Sequence, residues 1–179
     1  GEKLAKDLEK LQDKLPPFAK TEASLILKNE LGEKTFQSIH EFSEPIAAAS
    51  IAQVHFAKIK NNSVEKEVAI KILRPSIQKI FNEELDALML LAYIIESTVK
   101  KTKRLRLIEI VYLLKEITNI EMDLRFEAAA ANELYENTKN DIGFVVPKIY
   151  WNFTTQKILI LDKIEGIPIR ETEKLTKSG

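Results

Sequence analysis

Residues Val68-Ala69-Ile70-Lys71-Ile72-Leu73 alternate in a way that suits an extended chain and no other regular structure. Successive side chains of a strand point to opposite faces, so Val68, Ile70 and Ile72 share one face while Ala69, Lys71 and Leu73 share the other. The first set is entirely β-branched and reads as a core-facing row. The second places an ammonium between apolar neighbours, and a lysine on a packed face requires an anion nearby. Upstream, Asn61-Asn62-Ser63 is a tight-turn signal joining this strand to the run Ile51 to Lys60. A hairpin is therefore the fixed point around which the rest of the chain must be arranged.

With 179 residues, 45% hydrophobic and 30% charged, the chain can bury one well-packed domain. Its 27 basic and 27 acidic residues cancel, which argues against a general nucleic-acid binder. Cysteine is absent, excluding disulfides and cysteine–zinc sites. The longest apolar run, Leu85 to Ile95, carries Asp86, is too short to span a bilayer and reads as a buried helix. Gly1-Glu2-Lys3 opens no signal-peptide pattern.

Leu4, Leu8, Leu11 and Leu15 predict a helix that Pro16-Pro17 ends, since proline cannot donate a backbone hydrogen bond. A second helix is expected from a Thr21 cap to Gly32, with a further helical turn between Glu33 and His40. Pro45 and the alanine run lead into the strands Ile51 to Lys60 and Val64 to Arg74. Pro75 suits the first turn of a helix ending near Thr98, whose apolar side carries Ile77, Ile80, Phe81, Leu85, Leu88, Leu91, Ala92 and Ile95. A long helix should follow from about Leu107 to Asn137, with Ala128 to Ala131 inside it. Two last strands, about Val145 to Asn152 and Lys157 to Ile164, precede Gly166 and Pro168, which close the ordered pattern. The sum is an α+β fold: a five-stranded antiparallel sheet with helices inserted after the third strand, at residues 41–169. An N-terminal helical extension spans 1–40 and a polar tail 170–179.

Val68 to Lys71 matches the protein-kinase strand whose lysine bridges the α- and β-phosphates of ATP. The plainer alternative is a lysine whose stem covers apolar surface while its charge reaches water. A phosphate-binding lysine needs a carboxylate to hold it. Glu83 and Glu84 stand on the first helix after the strand, and Glu121-Met122-Asp123-Leu124-Arg125-Phe126-Glu127 offers a second source. On a regular helix Asp123 and Glu127 share a face, while Glu121 lies about 200° from Asp123, closer to Arg125. As a solvated acidic face with a Glu121–Arg125 pair, this cluster is worth roughly 0.5 kcal/mol or less. Ala47, Ala48, Ala49 and Ser50 form a slim turn; glycine would let amide groups approach phosphate more freely, and a tightly packed hairpin explains the alanines equally well. His40 and His55 lack a metal-ligand constellation, and His55, on a strand, reads as structural. The basic run Lys100 to Arg106 reads as an exposed loop, or as a contact for anionic lipid at ~1 kcal/mol per charge. Trp151 reads as packing.

As a set, these residues resemble the UbiB family of atypical protein-kinase-like proteins, also called aarF-domain or ADCK proteins, which support ubiquinone biosynthesis. The resemblance is carried by Leu11-Gln12-Asp13-Lys14-Leu15-Pro16-Pro17-Phe18, by Ala47 to Val54 with His55, and by Val68 to Lys71 followed by Arg74-Pro75. It continues through Glu121-x-Asp123, Glu127-Ala128-Ala129-Ala130-Ala131-Asn132, Val146-Pro147 and the hinge-like Leu161 to Gly166, in order along nearly the whole chain.

The resemblance implies a protein-kinase-like N-lobe. It implies that Lys71 is the nucleotide-binding lysine, with Ala69 beside it and Glu127, rather than Glu83 or Glu84, as its partner. Glu121 and Asp123 match the family's Glu-x-Asp motif, Ala47, Ala48, Ala49 and Ser50 the loop that replaces the glycine-rich one, and Leu161, Asp162 and Lys163 the adenine edge. The N-terminal helices match an extension that packs over the lobe where protein substrates would dock. For the whole protein the implied cofactors are ATP and Mg2+. The implied partners are a membrane surface and other ubiquinone-biosynthesis proteins, without nucleic acid, on the cytoplasmic side of a bacterial inner membrane or the matrix side of a mitochondrion. The Lys-x-Gly-Gln motif expected upstream, and the second lobe with its metal-binding acids, are not among these 179 residues. No catalytic residue or certain metal ligand is therefore assigned, and the chain by itself is expected to be soluble, to bind nucleotide weakly and to be catalytically inactive. The rival reading is a non-catalytic, kinase-shaped scaffold for lipid, quinone precursors or partner proteins, working through its N-terminal helices and basic run. Hydroxylation of the quinone ring finds no flavin fingerprint and no iron-ligand triad.

Overall fold

The computed structural model describes residues 16–61, 64–167, 169 and 171–178, so the leucine-spaced helix predicted before Pro16, like Pro168, lies outside the described residues. Five strands form one antiparallel sheet: β1 (Ile39–His40), β2 (Pro45–Ala48), β3 (Ala52–Asn61), β4 (Val64–Leu73) and β5 (Ile158–Asp162). Their order is β1-β3-β4-β5, with β2 also paired to β3. The helices are α1 (Lys20–Phe36), α2 (Ile77–Thr98), α3 (Leu107–Glu121), α4 (Leu124–Thr138) and α5 (Thr172–Ser178). This is the α+β fold that the pattern predicts and the kinase-like N-lobe that the resemblance implies.

The predicted alternation of β4 divides the core in two. Val68, Ile70 and Ile72 are fully buried with Ala57, Ile59, Ile158 and Ile160 beneath Ala23 and Leu27 of α1. Ala69, Lys71 and Leu73 lie on the opposite face, where Leu73 packs with Ala52, Leu159, Leu124 and Ala128. Both faces of the sheet are thus covered, one by α1 and one by α4.

Several elements differ from expectation. Helix α1 starts at Lys20 after Ala19, and Thr21 sits inside its first turn; Gly32, at φ 76°, breaks the helix before the expected extra turn. Helix α2 starts at Ile77, because Ser76 adopts a left-handed conformation and separates Pro75 from it. The predicted strand at Val145 to Asn152 reduces to one bridge, Ile149 opposite Leu161, flanked by bonds from Tyr150 N–H to Ile160 C=O and from Asp162 N–H to Lys148 C=O. Pro147 cannot donate to a ladder, and the chain turns away at once through a 3-10 turn, Trp151–Phe153. Trp151 is 46% exposed, and Phe153 is the buried member of that turn. Residues 172–178, expected as polar tail, are helical.

Helix α2 also departs from the buried helix expected at Leu85 to Ile95. Only Leu85 and Ala92 are buried there, against Val111 of α3, while Leu88, Leu90, Leu91, Tyr93 and Ile94 are exposed. The basic run forms a 3-10 turn, Lys100–Leu105, at the tip of this α2–α3 hairpin. No helix among the described residues is long and apolar enough to cross a membrane.

At the start of α1 a buried polar chain replaces apolar packing. Phe18 N–H donates to Gln53 Oε1 at 2.9 Å, and Gln53 Nε2 donates to Phe18 C=O at 3.2 Å while lying 2.8 Å from His55 Nε2. His55 Nδ1 is 2.9 Å from Ser43 C=O, which can only accept, so Nδ1 carries the proton and Nε2 accepts from Gln53. Phe42 stacks on the ring at 4.3 Å. Burial outweighs the Ser43 hydrogen bond and pushes the imidazole below its ordinary pKa. A second ring proton would face the Gln53 amide, donor against donor. The unfolded chain therefore binds a proton that the fold resists, and stability falls as pH drops below about 6.5 toward the lowered folded value. Urea midpoints should fall further between about pH 7.5 and pH 5.5 for the wild type than for His55→Asn, whose side chain does not titrate.

Candidate functional site

The face of the sheet that carries Lys71 is built by register. Lys71 lies between Val54 of β3 and Leu159 of β5, Ala69 lies between Phe56 and Leu161, and Val54 is paired in turn with Ala47. The alanine-rich turn therefore closes the end of the sheet just beyond Lys71. Residues Ala47, Ala49 and Ser50 are exposed there, and Ala48 is half-buried.

The carboxylate comes from above. The long helix predicted from Leu107 to Asn137 is two helices, because Met122 ends α3 and Asp123 is extended at φ −129°. Asp123 caps α4: its Oδ1 accepts the Arg125 N–H at 3.0 Å, as aspartate at a helix N-cap does. The Arg125 guanidinium returns on the same carboxylate, with Nε 2.9 Å from Oδ1 and the terminal nitrogen 2.6 Å from Oδ2. Arg125 is thus held by Asp123 and not by Glu121. Leu124 N–H docks the start of α4 on Gln156 C=O at 2.9 Å, and Leu124 and Ala128 pack on the Lys71 face. This places Glu127, in the first turn of α4, against Lys71, with Nζ to Oε2 at 2.6 Å.

Of the two candidate carboxylate sources, Glu127 is the one that meets Lys71; Glu83 instead lies 3.8 Å from Lys79. The Lys71 side chain is 26% exposed and that of Glu127 48%. An ion pair this wet adds at most about 1 kcal/mol to stability, so folding alone gives little reason for it. Its consequence is positional: it fixes an ammonium on the sheet face near the end that the alanine-rich turn closes.

The other expected site residues take different places. Glu121, Asp123 and Glu127 line one cleft of about 480 Å³ together with Ile120, Leu124, Phe126 and Ala130. Among the described residues no three acidic or histidine side chains converge closely enough to hold a metal ion. Leu161 is half-buried opposite Ala69. Asp162 accepts the Tyr150 hydroxyl at 2.6 Å; burial, and then this carboxylate, push the phenol well above its ordinary pKa. Lys163 meets Glu67 at 3.1 Å and lies 5.1 Å from the centre of the Phe56 ring. The Tyr150–Asp162 bond and the Asp123–Arg125 fork were not foreseen; an aspartate directly before an apolar helical run was the available signal for the second.

A sheet with one face closed by a helix that supplies the lysine's carboxylate defines a protein-kinase-like N-lobe. Residues 10–179 match the family model of the ABC1 atypical kinase-like domain, and the chain belongs to that family. It is 36% identical over 177 residues to a probable protein kinase UbiB of Marinobacter nauticus, covering 98% of this chain and 32% of that protein. Counterparts bearing the same description in Azotobacter vinelandii and Cellvibrio japonicus are 33% and 35% identical, over 99% and 94% of this chain and 33% and 30% of theirs. The chain thus spans about a third of the length of these curated relatives.

The α3–α4 break is open to direct test. Arg125 holds the Asp123 carboxyl below the usual carboxylate range, so its contribution is present above about pH 4 and is lost as pH falls through the lowered folded value. Asp123→Ala should destabilise the chain by about 1–2 kcal/mol at neutral pH in urea unfolding, and Asp123→Asn, which keeps a cap, by less.

Proposed function

We propose that this chain is the N-lobe of an atypical kinase or ATPase that supports ubiquinone biosynthesis, contributing half of its ATP site, as its resemblance to UbiB implies. One observation carries the reading: Lys71 and Glu127, 56 residues apart in sequence, meet at 2.6 Å on a strand whose register leads through Val54 to Ala47. Lys71 supplies a cation for the α- and β-phosphates of ATP, Glu127 orients it, and Ala47 to Ser50 cover the phosphates. Ala69 and Leu161, adjacent in register, offer an apolar surface for the base, and Asp162 and Lys163 follow Leu161 directly along the chain. The lobe takes in the sheet from β1, so it starts at about residue 39 rather than at 41, where the sequence alone sets the boundary, and α1 of the extension packs on it. The residues present fit a phosphate chain. They do not fit a self-sufficient magnesium site, so Mg2+ would arrive with the nucleotide and take most of its protein ligands from a second lobe.

Calorimetric titration with MgATP should give weak binding that Lys71→Ala reduces at least tenfold, because a charged phosphate contact is lost. Binding that survives the substitution unchanged would remove Lys71 from the site.

A second reading, docking on an anionic membrane surface, has its own observation. The α2–α3 hairpin has exposed Leu90, Leu91, Ile94, Ile110, Leu113 and Ile117 along its sides and Lys100, Lys101, Lys103 and Arg104 exposed at its tip. Exposed apolar surface rimmed by cations is what an anionic lipid headgroup layer accommodates. Co-sedimentation with vesicles containing acidic phospholipid should fall when Lys100, Lys101 and Lys103 become glutamine. Equal retention by neutral and acidic vesicles would contradict this reading.

A further inference from the structure

The turn over the proposed phosphate site is held by a residue outside it. Residues Ser50 and Ile51 connect Ala49 to Ala52, and Ala49 N–H donates to Ala52 C=O at 2.8 Å. Hairpin loops of two residues favour primed turns, which need positive φ at one or both central positions. Among the described residues only Glu41, Ser76, Arg106 and two glycines have positive φ, so neither Ser50 nor Ile51 supplies it. The return bond that would close the turn, from Ala52 N–H to Ala49 C=O, is likewise not formed among the described residues.

Arg74 supplies what the turn lacks. Its Nε donates to Ala49 C=O at 3.1 Å, and its backbone N–H donates to Ile51 C=O at 2.8 Å. One residue thus holds the turn on both flanks. The same guanidinium donates to Pro16 C=O at 3.0 Å and lies 6.0 Å from the centre of the Phe18 ring. Phe18 is in turn fixed through both of its backbone groups by buried Gln53. The peptide between Ala49 and Ser50 is planar and trans, so drawing its carbonyl toward Arg74 aims the Ser50 N–H the opposite way. No hydrogen bond from that N–H is formed among the described residues, which leaves it a donor for an anion.

We infer that Arg74 is a positioning residue that sets the shape of the alanine-rich turn and makes that shape depend on the Pro16–Phe18 segment. The inference rests on the nucleotide reading above and deepens it. The segment leading in from the N-terminal extension is coupled to the phosphate cover through Arg74, beside its backbone bonds to Gln53. Displacing that segment removes the guanidinium contact with Pro16 C=O and the Phe18 ring, frees the Ala49 carbonyl to turn inward, and lowers the affinity for phosphate.

The test is a double-mutant cycle on the full chain, read as MgATP and MgADP affinity by calorimetry. Arg74→Ala should weaken binding about tenfold, within the range ordinary for coupled sites. Phe18→Ala should weaken it less, and should add nothing in the Arg74→Ala background. Arg74→Lys keeps the charge but loses the planar fork that reaches both carbonyls, and should fall between wild type and Arg74→Ala. Wild-type affinity in Arg74→Ala and Arg74→Lys, or effects of Phe18→Ala and Arg74→Ala that simply multiply, would overturn the inference. If the wild type binds no nucleotide, the nucleotide reading fails. Amide hydrogen exchange then decides the coupling separately: faster exchange at residues 49–51 in both Arg74→Lys and Phe18→Ala supports it, and unchanged exchange overturns it.

Discussion

A lysine on a packed sheet face is the constraint from which the rest of this lobe follows. Strand β4 is bonded on both sides, and the face opposite Lys71 is filled by Val68, Ile70 and Ile72 under α1. The Lys71 ammonium therefore has no route into that core and must be met on its own side. That requires a helix across this face with a carboxylate at the right height. Helix α4 meets the requirement only because the chain breaks at Met122 and Asp123, restarts with Asp123 as cap, and docks Leu124 beside Leu73 and Leu159. The pair formed in this way is too exposed to stabilise the fold by much, so its value lies in where it leaves the cation.

Much of this was legible in the sequence because it rests on period-two patterning. Val68 to Leu73 specified both faces of β4, and the turn residues specified its pairing with β3. Longer-range features were less legible. Apart from Asp123 and Phe126, Glu121 to Glu127 are strong helix formers, so Asp123 is the one weak signal of a break, and the capping fork from Arg125 shows that the helix stops there. The segment around Ile149 has strand composition, yet Pro147 and the turn at Trp151 leave it one bridge. The α2 pattern shows an apolar helix without saying what covers it; α3 takes one side, at Leu85 and Ala92, and the opposite side stays open. Arg74 read as the end of a strand, because a backbone carbonyl leaves no mark in sequence that would predict its partner.

The family assignment and the geometry address different parts of the molecule's activity. Membership of the ABC1 atypical kinase-like family covers the chain from residue 10 to its last residue. The geometry supplies the local chemistry: an oriented cation, a turn with an outward amide, and an apolar shelf at Ala69 and Leu161. Phosphoryl transfer needs metal-binding acids on the other side of the nucleotide, and among the described residues no such cluster forms. Elsewhere on the lobe, the α2–α3 hairpin exposes apolar sides and a basic tip.

The central claim is that Lys71, Glu127 and the alanine-rich turn together face one phosphate chain. The most direct measurement is a two-dimensional amide NMR titration of the chain with MgATP. The account predicts shift changes concentrated at residues 48–51, 69–71 and 161–163, abolished by Glu127→Ala while the rest of the spectrum is preserved. Changes confined to the α2–α3 hairpin, or changes at the turn that persist without Glu127, would contradict it.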